Sequence, residues 1–436
     1  MRGRFETSRA PEQACARPRR GLALWAVLGV IVLAALAFGV WRLTRPTAQP
    51  AAMEQPPAAQ APVEAPADMP DETPEVTPDE PPQPPAAREL EAEIVEQTPP
   101  EPAERSLRLM AVGDNLIHNS VYWSAETPDG GYDFTPFYQD IAPVIADYDL
   151  ACIQQETIFV NDPALYDNYP RFASPTAVGD ALAQAGFNVV TMAGNHCYDK
   201  GWTGIADTAS FWREQHPEVT LLGIHDSQAD ADTLRVVEKN GLRVALLDYT
   251  YGVNYEKPEN DWTVDFLDRG KAARDIEAAR AQADFVIVFA HWGEEGEFEP
   301  NDYQRGWAEF FAAQNVDAVI GGHPHVLQPM EQLTRADGKQ MPVFYSLGNF
   351  LSHQMGAEQM LGGLASLRLV KDDAGTRVED AALQPTVTFI SHKDTGWWSY
   401  RPMLLADYTD EMSTQHRIPE ATPEYLWALY NKVTGK

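Results

Sequence analysis

Residues 107–115 read LRLMAVGDN, an apolar run of strand length that stops on a glycine and an aspartate. Residues 107–112 are expected to form a strand with Asp114 at its carboxyl end. The same texture recurs downstream: strands are expected at 150–154, 189–192, 234–237, 242–248, 285–290 and 318–320. Helical patterns at 135–148, 176–185, 203–215, 271–283 and 303–313 lie between them. Asn240-Gly241 supplies a hairpin turn within the series. Beyond Gly362 come further strands, then a less regular, aromatic-rich tail with Trp397, Trp398 and Tyr400. Strands and helices alternating in this way give an α/β fold class, and no internal repeat interrupts it.

A polar cluster ends each of five strands: Gly113-Asp114, Gln155-Glu156, Gly194-Asn195-His196, His291-Trp292-Gly293 and Gly322-His323-Pro324-His325. Singly these are weak, since a Gly-Asp after a strand is commonly a turn and a buried histidine beside tryptophan is usually a packed core residue. Five such clusters at five strand ends exceed what turn chemistry alone produces. In an open α/β sheet these loop ends converge on one rim. Carboxylate, imidazole and amide oxygen gathered there suit first-row divalent cations, and a carboxylate can bridge two of them. Two neighbouring ions polarise a phosphoryl oxygen, generate hydroxide and stabilise the entering and leaving oxygens, so metal-assisted hydrolysis is the expected chemistry.

Residues near the clusters carry second readings. Asp199 either hydrogen-bonds an imidazole or caps the helix that opens near Gly201. Glu294, Glu295 and Glu297 read first as a solvated loop, with a contribution to the site or to an amine-binding surface as the alternative. Asn349 follows a strand expected at 344–347 and is expected to line the pocket, with Phe350 packed beneath it. Cys197 is expected to be a small buried residue rather than a soft ligand. Cys15, Cys152 and Cys197 show no CxxC spacing and do not suggest a disulfide framework.

Outward from this domain, the composition changes sharply. The chain has 436 residues and a net charge of -31, with Arg88 the only basic residue between Ala51 and Glu104. Residues 46–104 are Pro, Ala, Glu, Thr and Gln with few residues able to form a core, and are expected to be a disordered, extended stalk. Residues 21–41, GLALWAVLGVIVLAALAFGVW, are uncharged and long enough to span a bilayer. Arg17, Arg19 and Arg20 before the run outnumber Arg42 and Arg45 after it, which favours an inside N-terminus. The run is long for a cleaved signal peptide and is followed by Trp-Arg-Leu-Thr-Arg rather than a small-x-small site, so an uncleaved anchor is the reading. The expected order is a basic cytoplasmic N-terminus at 1–20, a membrane helix at 21–42, the stalk at 46–104, a globular domain at 105–395 and a C-terminal extension at 396–436. That order puts the protein in the cell membrane, single-pass, with its folded domain outside the cytoplasm. An acidic chain without a basic patch excludes nucleic acid as a partner.

At the strand ends the sequence resembles the CapA-type poly-gamma-glutamate capsule synthesis proteins, a branch of the calcineurin-like metallophosphoesterases. The similarity rests on Ala111-Val112-Gly113-Asp114, Asn195-His196 within Ala-Gly-Asn-His-Cys-Tyr-Asp-Lys-Gly, and Ala290-His291-Trp292-Gly293-Glu294-Glu295. It also rests on Gly321-Gly322-His323-Pro324-His325-Val326-Leu327-Gln328-Pro329 and Ser346-Leu347-Gly348-Asn349-Phe350. It covers roughly 108–354. The resemblance implies a metallophosphoesterase-like four-layer α/β/β/α sandwich holding two divalent ions, with Mn, Fe and Zn as the candidates. Asp114 and His325 would bind one ion, Asn195, His291 and His323 the other, and Glu156 would bridge them in place of the usual aspartate. His196 would protonate the leaving group, with Asp199 beside it. The general pattern has a histidine two residues after its first aspartate where this chain has Leu116, and His118 is the candidate substitute.

The implied function is a membrane-anchored, metal-dependent hydrolase acting in synthesis, export or attachment of a poly-gamma-glutamate-like capsule or another envelope polymer. The alternative is a non-catalytic polymer-binding or assembly factor on the same fold. In either case the partners are the polymer and other capsule-synthesis membrane proteins.

Overall fold

In the computed structural model, which describes residues 104–393 and 396–436, the apolar runs become strands of two sheets. The first sheet contains β1 (Glu104–Asn115), β2 (Leu150–Gln155), β3 (Val189–Thr191) and β4 (Thr220–Leu222). The second contains β5 (Arg235–Lys239), β6 (Leu242–Thr250), β7 (Phe285–His291), β8 (Ala318–Gly322), β9 (Met330–Thr334) and β10 (Gln340–Phe344). The chain then returns to the first sheet as β11 (Asn349–Leu351), β12 (Leu361–Asp372), β13 (Gly375–His392) and β14 (Trp398–Leu404). The strand orders are β14-β13-β12-β1-β2-β3-β4, with β11 also on β1, and β5-β6-β7-β8-β10-β9. β1 to β4 run parallel, as do β6, β7, β8 and β10, so the carboxyl ends within each parallel set share one edge.

Side-chain alternation explains the layering. In β7, Phe285, Ile287 and Phe289 join the core shared with the first sheet. Val286, Val288 and Ala290 point the other way, into a second core with Ala272, Ile276 and Ala279 of α3 (Arg269–Gln282) and Trp307 and Phe311 of α4 (Asp302–Ala313). Burial on both faces fits the near-continuous apolar runs of parallel strands. α1 (Ala177–Ala185) and α2 (Gly201–Gln215) add Val178, Leu182, Ile205 and Trp212 to the first core.

The structure departs from expectation in several places. The helix expected over 135–148 is two short helices, Thr135–Tyr138 and Ala142–Ile145, each with a proline at its start. A proline inside a continuous helix would lose a backbone hydrogen bond and clash with the preceding turn, whereas at the first turn it is tolerated. The strand expected at 344–347 ends at Phe344, and Asn349 opens β11. The tail is more regular than it reads: β14 pairs antiparallel with β13, and α5 (Pro423–Thr434) places Leu426 and Tyr430 in the core. No helix among the described residues is long and apolar enough to cross a membrane. The anchor expected at 21–42, and the stalk up to residue 103, lie outside the described residues.

Candidate metal centre

The strand-end clusters meet where the two parallel sets finish. A bulge at Gly113 shifts the β1–β2 register just before Asp114. Any side chain at Gly113 would collide with the Gly348 carbonyl, so glycine lets β1 and the 346–349 turn come together. The Asp114 N–H then donates to Gly348 O at 2.9 Å, and its side chain is fully enclosed. At the end of β8, Gly322 is needed for the same reason, since a Cβ there would strike Gln154 and Asp114.

His323 and His325 follow with φ of 96° and 57°. Both are left-handed conformations that cost a non-glycine residue roughly 1–3 kcal/mol and persist only where surrounding contacts enforce them. The turn brings His325 Nδ1 to 3.0 Å from Asp114 Oδ2 and 3.1 Å from Asn349 Oδ1, with Nε2 3.7 Å from Glu156 Oε1. The His323 N–H lies 3.3 Å from Asp114 Oδ2. On the other side, His291 Nε2 lies 2.9 Å from Asn195 Oδ1 and 3.8 Å from Glu156 Oε1, while its Nδ1 contacts the Gln154 amide.

Three groups of prospective ligand atoms result, each gathered within 4.8 Å; two of them, Asp114–Glu156–His325 and Glu156–His291–His323, are fully buried and share Glu156. Asn195 joins the second through His291. Neither oxygen of the buried Glu156 carboxylate has a hydrogen-bond partner, and buried His323 Nδ1 lacks one as well. An enclosed carboxylate without donors is costly unless a cation satisfies it, so these residues fit a metal. Without an ion, protons on these groups balance the charge, and a metal would displace them. Burial pushes the Glu156 carboxyl up to about 7, against the pull of His325. Burial would lower His325, but Glu156 and Asp114 hold it up at about 10. Burial and neighbouring imidazoles hold His291 well below its ordinary value and His323 at about 3, leaving both neutral with lone pairs to offer.

His196 sits beside these groups. Its Nδ1 donates to Asp199 Oδ2 at 2.6 Å, so in the neutral ring Nε2 carries the lone pair, 3.2 Å from Asn254 Nδ2. Of the two readings of Asp199, the side chain takes the first. It also accepts from Phe172 N at 2.7 Å, while α2 has no side-chain cap. His118 belongs to none of these ligand groups. Its Nδ1 lies 3.2 Å from both Leu116 O and His353 N, and its ring packs edge-on against Phe172. Burial lowers its pKa to about 3. Leu116 itself is core. Cys197 is fully buried, and Phe350 stacks on Tyr138.

Three contributors escaped the sequence reading. Gln154 faces inward one residue before Gln155-Glu156, hidden in an apolar strand. Tyr251 lies over His323, ring centroids 4.8 Å apart, and Asn254 bridges Asn195 and His196. Both follow the carboxyl end of β6, and that position was the signal that could have found them. Glu295, read mainly as a solvated loop residue, is exposed yet brings a carboxylate oxygen within 4.8 Å of ligand atoms of His323 and His325.

The sequence profile of the family described as "Bacterial capsule synthesis protein PGA_cap" matches residues 108–354. Among curated proteins the chain is similar to the PGA biosynthesis protein CapA of Bacillus subtilis (strain 168), 32% identical over 197 residues, which is 44% of this chain and 50% of that protein. It is also similar to the capsule biosynthesis protein CapA of Bacillus anthracis, 32% identical over 181 residues, 40% of this chain and 42% of that protein. The chain thus spans half or less of these curated relatives. Among solved structures it is similar to a phosphatase from Mycoplasma pneumoniae, with TM-score 0.41 and 14% identity, covering 65% of this chain and 94% of that one.

Proposed function

This chain belongs to the bacterial capsule synthesis protein family PGA_cap, and from that premise we propose that it is a metal-dependent hydrolase of a capsule or cell-envelope polymer, with a metallophosphoesterase-like four-layer sandwich. The observation that carries this reading is Glu156, buried among His291, His323 and His325 with neither carboxylate oxygen hydrogen-bonded. Asp114, Glu156 and His325 would hold one divalent ion, and Glu156, Asn195, His291 and His323 a second. When bound, such ions polarise a phosphoryl oxygen and lower the pKa of water. With Nε2 protonated, His196 would deliver that proton to the leaving oxygen as the ester bond breaks and return to the neutral ring held by Asp199. Asp199 keeps its ring oriented for that transfer, and Asn349 does the same for His325.

We further propose that residues 21–42 anchor the chain in the cell membrane and that 46–104 hold the domain away from it on the outer side, where a capsule polymer and other capsule-synthesis membrane proteins would be its partners. Deleting residues 1–45 should move the protein from the membrane pellet to the soluble fraction. A deletion variant that still sediments with membranes argues against the anchor.

The catalytic reading is tested with the purified full chain, supplied with Mn²⁺ or Zn²⁺, on aryl phosphodiester and phosphomonoester substrates. His196→Ala should lower turnover by about 10²–10⁴-fold while retaining metal, and His323→Ala should lose both. Bound metal with no turnover by the wild type on any ester would favour a non-catalytic assembly factor.

A further inference from the structure

Two loops flank His196. From one, Phe172 sets its ring edge-on to the imidazole, centroids 4.7 Å apart, and gives its N–H to the Asp199 oxygen that also accepts from His196. From the other comes Asn254, 3.2 Å from His196 Nε2. The next residues along, Arg171 and Tyr255, meet each other. The Arg171 guanidinium carbon stands 4.1 Å from the centre of the Tyr255 ring, and the Tyr255 hydroxyl donates to Pro170 O at 2.9 Å. The loops are therefore clasped together one residue from the groups that touch His196.

Arg171 is exposed, and its guanidinium has no hydrogen-bond or carboxylate partner among the described residues. The neighbouring cation is already engaged: Lys200 pairs with Asp167 of the same loop at 2.8 Å. In a chain of net charge -31, where carboxylates are plentiful, this arginine is held only by an aromatic face. Stacking fixes the plane of a guanidinium and leaves its N–H edge free to grip an oxyanion with two parallel hydrogen bonds.

We propose that Arg171, stacked on Tyr255, is a substrate-binding residue that takes an oxyanion of the substrate, carboxylate or phosphate, beside His196. The inference rests on the hydrolase reading for its placement next to the leaving group, but its test reads binding without turnover. A fluorescently labelled oligoglutamate and inorganic phosphate serve as probes on the full, metal-loaded chain, for wild type, Arg171→Ala and Arg171→Lys.

Arg171→Ala should weaken binding of at least one probe about ten-fold, the scale of one charge-assisted hydrogen bond, with metal content unchanged. Arg171→Lys should recover only part, because an ammonium cannot make the paired contact. The larger loss for phosphate assigns the residue to a phosphoester, and the larger loss for oligoglutamate to a carboxylate. If the alanine variant loses metal, the lysine variant decides, a weakening beyond two-fold supporting the proposal. Binding of both probes within two-fold of wild type in a metal-retaining variant would overturn it, as would a wild type that binds neither. Probe binding without ester turnover leaves this inference standing and removes the hydrolase reading.

Discussion

Asp248 illustrates how much of the site depends on residues that never touch its ligands. It is buried on β6, and its Oδ2 accepts from Met192 N at 2.9 Å and Ala193 N at 2.8 Å, across from one sheet to the other. That contact fixes the loop which presents Asn195 and His196. Burial pushes its carboxyl up to about 8 against those two hydrogen bonds. Between about 4, where an unfolded aspartate ionises, and about 8, the folded chain holds a proton that the unfolded chain has released. Asp248 thus makes stability fall as pH rises through that window. Asp248→Asn keeps an oxygen acceptor and removes the titration. Its stability relative to wild type should rise with pH across the window, by up to about 1.4 kcal/mol per unit. Denaturant melts at several pH values would read this, and parallel curves for the two proteins would rule it out. Site residues were legible in the sequence where a polar residue interrupted an apolar run, as at Asp114, Glu156 and His291. Gln154, Tyr251 and Asn254 were not, because no linear pattern records which residues a second sheet brings opposite.

Elements were legible in proportion to their periodicity. β6, β7 and β8 follow the apolar runs closely. The 135–148 segment has a helical pattern, but Pro136 and Pro143 each start a new short helix. β14 was hidden because its alternation, Trp398-Ser399-Tyr400-Arg401, lasts only four residues before Pro402 interrupts it, and proline demotes a run as a strand. Its role reaches the site's margin, since Tyr400 OH hydrogen-bonds His353 Nδ1 at 2.7 Å and the His353 N–H approaches His118 Nδ1. Removing residues 396–436 would strip β14 from β13 and take buried Tyr400, Leu405, Tyr408, Leu426 and Tyr430 out of the core. Each such side chain stabilises by about 1.5–3 kcal/mol, together comparable to the roughly 5–15 kcal/mol of a whole domain. The truncated chain should aggregate or melt far below the full one, also because it bares the β13 edge. An unchanged melting temperature and a monomeric elution profile would show that the segment is dispensable.

At the scale of the molecule, two sheets whose parallel strands end together create a rim that neither sheet provides alone. The first contributes Asp114, Glu156, Asn195 and His196, the second His291, His323 and His325, and Glu156 belongs to both buried ligand groups. Strand order could not be read from the sequence, because β11 to β14 return to the first sheet after the second is complete. The alternation of strands and helices was enough to suggest a shared rim. The net charge of -31 would repel the anionic substrate proposed above, and cations in the site would offset it locally. The decisive quantity is therefore the metal-to-protein ratio of the full chain after purification and dialysis, measured by elemental analysis for wild type and Glu156→Gln. Wild type should carry divalent metal, and Glu156→Gln, nearly isosteric but neutral, should lose most of it while remaining folded. A wild type free of metal after incubation with Mn²⁺ or Zn²⁺, or a Glu156→Gln variant that binds as much as wild type, would contradict a metal centre built around Glu156.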